Sequence, residues 1–202
     1  MFLLDGSEDT RAGFEWIRGL VKKIIENLNI EENGDRVALV QYSREARANF
    51  YLNSYSSKND MLNVVQSLRH KRGRPLNTGA ALQFLKDNVF ITSSGSRVLE
   101  GVPQILYIFS GGRSNDDVRA ISQVLRDSNI KTIAVGTQNA DTLELQTVSY
   151  TPAHAFSVSD FSNIENVHDK LISSMTYTQE FVEPTPAILG KRLSVEKSVS
   201  KK

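Results

Sequence analysis

Cysteine is absent from this sequence of 202 residues. Without a thiol there is no disulfide, no thiolate nucleophile and no cysteine-ligated zinc. The absence is compatible with any redox compartment, so it does not distinguish a cytosolic protein from an extracellular one. The sequence also has no N-x-[ST] acceptor for N-glycosylation, which removes one possible indication of secretion.

Long apolar runs are absent as well. No segment approaches the roughly 20 apolar residues that cross a bilayer, and the apolar run at residues 1–4 is too short for a secretory leader. We therefore expect no membrane insertion. Because the sequence starts abruptly within a strand-like pattern, we expect a fragment of a longer chain in which Met1 is an expression artefact, so its start gives no localisation.

Positive charge is not in excess outside the last residues. Residues 190–202 hold five of the 24 basic residues and one of the 23 acidic ones, which leaves residues 1–189 with a net charge of −3. The globular part therefore gives no electrostatic reason to expect nucleic-acid binding. Periodicity fades beyond residue 177, where Pro184 and Pro186 precede a Ser/Lys-rich end. We interpret residues 1–177 as one domain and residues 178–202 as a linker or an appended tail.

Short apolar runs alternate with segments of helical periodicity along the domain. Strands are predicted at residues 2–4, 36–42, 48–52, 102–109, 130–135 and 155–158. Helices are predicted at residues 14–28, 61–68, 78–90, 118–125, 141–148 and 162–175. Because the link at residues 43–47 is short enough for a hairpin, the second and third strands are predicted to be antiparallel. This alternation predicts an α/β fold whose mostly parallel six-stranded sheet has one antiparallel edge strand and helices on both faces.

Three polar segments follow predicted strands or begin a helix, at the edge of the sheet where α/β proteins bind ligands. They are DGSED at residues 5–9, NTG at 77–79 and SGGRS at 110–114. Carboxylate and hydroxyl oxygens are hard ligands that suit an octahedral Mg²⁺ or Mn²⁺. The three segments together therefore point to a cation site at the strand ends.

The motifs FLLDGS, RVALVQYS, NTGAAL, GVPQILYIFSGGRSNDDV and IAVG occur in this order, and with this spacing the sequence resembles a von Willebrand factor A domain. The resemblance covers roughly residues 1–177 and is strongest to the A domains in the N-terminal regions of collagen VI-type alpha chains. It implies a Rossmann-like, doubly wound fold. It also implies a secreted protein of the extracellular matrix that binds protein partners without catalysis.

The resemblance also assigns the strand-end residues to a metal-ion-dependent adhesion site with the motifs D-x-S-x-S, a threonine and T-D-G. Asp5, Ser7 and Thr78 match, whereas Asp9 replaces the last serine and Gly111 replaces the third-loop aspartate. The loss of that carboxylate weakens cation binding, so we expect an impaired site with no cofactor or weakly bound Mg²⁺/Mn²⁺. The alternative is a functional adhesion domain in which Asp9 compensates.

The partners implied by the resemblance are extracellular matrix proteins, namely collagen chains or other A domains of the same assembly. Ser110, Arg113, Arg72 and Arg74 are candidate contact residues beside the site. The basic cluster at residues 69–74 either binds an acidic partner or a sulfated glycan, or is an ordinary solvated turn at a Gly-Pro-rich segment. An intracellular A-type scaffold is a further alternative, because no targeting signal is present.

An enzyme is the least favoured interpretation. Asp5 ends a first strand, as does the nucleophile of aspartyl-phosphate enzymes, but no predicted strand ends in the lysine that such enzymes commonly need. No phosphate-binding G-x-x-x-x-G-K-[ST] or G-x-G-x-x-G pattern follows a strand. The three histidines are scattered without metal-ligand spacing.

Overall fold

The computed structural model describes residues 1–176, which form a six-stranded sheet in the order β3-β2-β1-β4-β5-β6. Only β2 and β3 pair in the antiparallel direction, and the other neighbours are parallel. The strands are β1 Phe2–Asp5, β2 Leu39–Tyr42, β3 Ala46–Phe50, β4 Gln104–Ser110, β5 Ile130–Gly136 and β6 Ala155–Ser157. The predicted fold class, with its antiparallel edge strand, is confirmed. The predicted tail at residues 178–202 lies outside the described residues.

Six α-helices cover the two faces of the sheet. They are α1 Phe14–Glu26, α2 Lys58–Gln66, α3 Thr78–Asn88, α4 Arg119–Asp127, α5 Thr142–Val148 and α6 Glu165–Thr176. Side chains alternate across each strand, so Phe2 and Leu4 join one core with α1, α2 and α6, whereas Leu3 joins a second core with α3, α4 and α5. The two separate cores explain the double-sided apolar pattern of the central strands.

The amphipathic pattern of α1 agrees with its burial. Its residues at positions 14, 17, 20, 21, 24 and 25 are all buried, which is the spacing of one helical face. Side-chain caps begin two other helices, because Ser57 accepts from the Asp60 N–H and Asp141 accepts from the N–H groups of Leu143 and Glu144. No helix among the described residues is long and apolar enough to cross a bilayer.

Several element boundaries differ from the prediction. The hairpin link is only residues 43–45, so β3 begins at Ala46, two residues earlier than predicted. β2 begins at Leu39 and β4 at Gln104, although apolar character starts earlier in both segments. In each case pairing with a neighbouring strand, and not hydrophobicity, decides where the ladder begins.

The topology of β1 sets the position of the candidate site. The chain leaves β1 towards β2 on one side and returns through α3 to β4 on the other side of β1. A crevice therefore opens beyond the carboxyl ends of β1 and β4, where the direction of strand order changes. The segments after Asp5 and after Ser110 lie at this crevice.

Candidate functional site

The carboxylate of Asp5 joins the first and third loops. Its Oδ1 accepts from the Ser7 N–H at 2.7 Å, and its Oδ2 accepts from the Gly111 N–H at 2.8 Å. Its backbone carbonyl accepts from Thr10 Oγ1 at 2.6 Å. Asp5 is fully buried. These contacts make it the centre of a closed loop junction at the ends of β1 and β4.

A second negative charge would be unfavourable at this junction. Burial raises the pKa of Asp5, although hydrogen bonds from Ser7 and Gly111 act in the opposite direction. Burial is also the main cause of the raised pKa of Tyr42, and the charge of Asp5 contributes. The Tyr42 hydroxyl lies 3.1 Å from Thr78 Oγ1. The structure thus brings Thr78 into the same buried polar cluster as Asp5.

The second loop is fastened to the third by side chains that the sequence analysis did not assign to the site. The Thr78 N–H donates to Ser114 Oγ at 2.9 Å. Asp116 accepts from the N–H groups of Gly79 and Ala80 at 2.8 and 2.7 Å, so it caps α3 from a different part of the chain. Val118 makes no side-chain cap at the start of α4, but Asp117 Oδ1 accepts from the N–H of Arg119, the first residue of that helix, at 2.9 Å.

A second carboxylate supports the third loop from α5. Glu144 accepts from the Ser114 N–H with both oxygens at 3.0 Å, and burial raises its pKa. Sequence reasoning gave no role to Asp116 or Glu144. The Ser-x-Asp pattern at residues 114–116 is a local sequence signal for the contacts of Ser114 and Asp116 with the second loop. Glu144 has no such signal, because it lies 30 positions from Ser114 in the sequence.

Asp9 lies against the third loop, with its backbone beside Gly111, where the acid is missing, and its carboxylate beside Gly112. A Cβ built on Gly112 would be 2.7 Å from Asp9 Oδ2, so this carboxylate extends over the third loop. Its other oxygen, Oδ1, accepts from Arg74 Nη2 at 2.9 Å. Asp9 is therefore engaged in an ion pair at the rim of the site.

The remaining predicted residues are engaged differently. Ser7 Oγ accepts weakly from the Asp9 N–H at 3.3 Å, and Ser110 Oγ donates to the Gly112 carbonyl at 3.0 Å. Arg113 is exposed and pairs with Asp141, with 3.5 Å between Nε and Oδ2. Arg72 lies beside the β2–β3 hairpin, where Ser43 Oγ donates to its backbone carbonyl.

The donor set can be tested against a divalent cation. Both oxygens of the Asp5 carboxylate accept backbone hydrogen bonds, Asp9 is paired with Arg74, and Glu144 accepts from the Ser114 N–H. Within residues 1–176 no group of three or more His, Asp or Glu side chains is arranged to hold a metal. Mg²⁺ requires near-ideal octahedral oxygen geometry. As arranged, these donors fit a tightly bound Mg²⁺ poorly.

Comparison with known proteins relates this chain to one domain family and to proteins of the extracellular matrix. Residues 1–170 match the von Willebrand factor type A domain. The chain is 33% identical to the collagen alpha-4(VI) chain of Mus musculus over 147 residues, which is 72% of this chain and 6% of that protein. It is 33% identical to matrilin-1 of Gallus gallus over 174 residues, which is 85% of this chain and 35% of that protein. The chain thus spans a minor part of each relative.

The fold is also shared with a solved structure. Proximal thread matrix protein 1 from the mussel byssus, with a zinc-occupied MIDAS motif, superposes with a TM-score of 0.80 at 20% sequence identity. The superposition covers 85% of this chain and 46% of that one. At this level of identity the likeness concerns the fold alone.

Proposed function

Because this chain belongs to the von Willebrand factor type A domain family, we propose that it is a non-enzymatic interaction and assembly module of an extracellular matrix protein. Its similarity to A domains of a collagen VI chain and of matrilin-1 supports a secreted, matrix setting. Collagen chains and other A domains of the same assembly are the proposed partners. We propose residues 1–177 as the domain and residues 178–202 as a linker or an appended tail.

The burial of Asp5 supports a function without catalysis. A nucleophilic aspartate must present an oxygen to its substrate. Asp5 is fully buried and both of its carboxylate oxygens accept backbone N–H groups. Attack on a phosphoryl group would require one of these oxygens to become accessible, which the closed junction between the first and third loops opposes.

We further propose that partner binding does not depend on a cation bridge. The observation that carries this proposal is the ion pair between Asp9 and Arg74 beside the third loop, which offers Gly111 in place of an acid. The Arg74 guanidinium supplies a positive charge at the rim, where a cation would otherwise balance the carboxylates. Asp5, Ser7 and Thr78 then act as structural hydrogen-bonding groups.

One observation favours the alternative of cation-dependent adhesion. The Asp9 carboxylate extends over Gly112, so it is an acid beside the third loop that could replace the missing ligand. In that case Asp9 would have to leave Arg74 when a cation binds. Asp5, Ser7, Thr78 and Asp9 would then hold the ion.

Solid-phase binding to collagen VI and matrilin-1, measured in Mg²⁺ and in EDTA, tests the function and the mechanism together. We expect saturable binding that EDTA leaves unchanged. Loss of binding in EDTA would overturn the cation-independent mechanism, and failure to bind either protein in both buffers would count against these partners.

Calorimetric titration with Mg²⁺ and Mn²⁺ tests the site itself. We expect no saturable heat at millimolar cation for the wild type or for Asp5→Ala. The variant Arg74→Gln frees Asp9 from its ion pair. Saturable binding by the wild type that Asp5→Ala abolishes, and that Arg74→Gln strengthens, would establish the alternative instead.

A further inference from the structure

Basic side chains are concentrated along the β2–β3 hairpin and the segment that packs on it. We call this surface the basic edge, and it consists of Arg44, Arg47, Arg69, Lys71, Arg72 and Arg74. All are exposed except Lys71, which is half-buried. The segment at residues 69–74 was predicted to be either a binding cluster or a solvated turn. The structure places it beside the hairpin arginines, which are far from it in sequence.

Buried polar side chains hold this segment against the hairpin. Gln41 is buried, donates through Nε2 to the Arg69 carbonyl at 3.0 Å and accepts from the Lys71 N–H at 3.0 Å. Ser43, also buried, donates to the Arg72 carbonyl at 3.1 Å and accepts from Lys71 Nζ at 3.0 Å. These hydrogen bonds fix the backbone of residues 69, 71 and 72 against the hairpin. The basic edge therefore has a defined geometry.

The edge carries more positive charge than its own contacts balance. Within the described part of the chain, Arg44, Arg47, Arg69 and Arg72 make no ion pair, and Arg74 pairs with Asp9. Glu45 lies in the hairpin turn next to Arg44, and the charge of Glu8 acts on His70, which lies between Arg69 and Lys71. Residues 1–189 have a net charge of −3, so this concentration is local and is not a consequence of overall composition. Such a surface attracts anions.

The backbone of Arg72 gives a second observation. Its φ is +66°, in the left-handed region that disfavours residues with a Cβ, and Gly73 follows with φ +112°. A glycine or asparagine at position 72 would fit this turn with less strain. An arginine held in such a conformation on a surface that already repels positive charge points to a role outside folding.

The kind of anionic ligand that fits the basic edge depends on whether this surface has an apolar centre. Protein interfaces are anchored by large apolar or aromatic side chains. The exposed large hydrophobic residues of the described chain are Trp16, Val98, Leu99, Val124 and Leu143, and none belongs to the basic edge. Guanidinium groups bind sulfate and carboxylate oxygens through paired N–H donors. We propose that the basic edge binds a sulfated polysaccharide, as a second site that adjoins the strand-end junction through the Arg74–Asp9 ion pair.

Binding of the full chain to a size-defined heparin oligosaccharide, measured by calorimetry, tests this proposal. The edge variant is Arg44→Gln with Arg72→Gly, in which the glycine also relieves the left-handed backbone. The control variant is Lys86→Gln with Arg119→Gln, which removes the same charge from exposed positions on α3 and α4. Both variants keep the basic residues of the C-terminal tail, so the tail contributes equally.

We expect the wild type to bind heparin with an affinity that falls as salt rises, because exposed charges are screened. The edge variant should bind about 30-fold more weakly, if each of its two charges contributes at the upper end for exposed ion pairs. The control variant should stay within about twofold of the wild type.

Three results would overturn the proposal. The first is absence of heparin binding at low salt. The second is equal binding by the edge and control variants, which would assign heparin binding to the tail or another surface. The third is binding of poly-glutamate or desulfated heparin as tight as that of heparin and lost in the edge variant, which would assign the edge to an acidic protein segment or to carboxylates. Circular dichroism of both variants confirms that each is folded.

Discussion

Restoring the missing third-loop acid by Gly111→Asp gives the sharpest test of how this site is built. A Cβ at position 111 would lie 2.8 Å from Thr10 Cγ2 and 3.1 Å from the backbone carbonyl oxygen of Asp9. Both separations are shorter than ordinary van der Waals contacts. The third loop is therefore packed for glycine, and an acid cannot be introduced there without displacing the first loop.

The expected cost follows from this overpacking. Forcing an additional group into a filled space costs about 1–3 kcal/mol. In EDTA the new carboxylate also lies near Asp5, whose pKa burial has already raised, so like-charge repulsion acts in the same direction. We expect Gly111→Asp to lower the free energy of unfolding by at least about 1–3 kcal/mol in EDTA.

Thr10→Ser provides the matched partner variant. It removes the Cγ2 methyl that the new Cβ would meet, and it keeps the hydroxyl that donates to the Asp5 carbonyl. Alone it should cost about 0.8 kcal/mol for one buried methyl group. In the double variant the clash is reduced, so the two effects should not add, and the coupling energy should be about 1 kcal/mol.

Urea unfolding followed by circular dichroism measures all four proteins of this cycle, first in EDTA and then with Mn²⁺. With cation, the double variant should gain stability that the wild type does not, by about 2.7 kcal/mol at a free concentration of 100 times Kd. Either of two results would refute the conclusion that Thr10 packs too tightly against the third loop for an acid. One is a Gly111→Asp variant that is as stable as the wild type in EDTA. The other is additive effects of the two substitutions.

Further predictions concern the groups that support the site. Asp116→Ala removes the cap of α3 and should cost about 1–2 kcal/mol in urea unfolding, whereas Asp127→Ala, at an exposed carboxylate at the end of α4, should cost under about 0.5 kcal/mol; equal costs would contradict the capping role. Burial lowers the pKa of His70, so the unfolded chain binds a proton that the folded chain does not, and stability should fall as the pH drops through about 6.5. His70→Gln should flatten this pH dependence, and an unchanged slope would refute the assignment. Arg72→Gly should raise the free energy of unfolding by about 0.5–1 kcal/mol because φ is +66° there, and a loss of stability would show that the arginine side chain stabilises the fold.

The strands and helices were largely predictable because their signals are local. The apolar face of α1 and the continuous apolar run of β4 each lie within one stretch of sequence. The positions of Asp5 and Thr78 at the ends of elements followed from the same alternation of strands and helices. Boundaries such as the start of β3 at Ala46 were missed because a ladder begins where its partner strand begins, and hydrophobicity does not record this.

By itself the sequence determined the α/β class, the strand-end position of the candidate site and the absence of an acid from the third loop. Tertiary structure alone decided what each polar group contacts. The Asp5 carboxylate meets the Gly111 N–H across 106 positions, Arg74 meets Asp9 across 65, and Asp116 caps α3 across 37. Such pairs depend on the order of strands in the sheet and on the direction in which each loop leaves it, and no local pattern of residues encodes either.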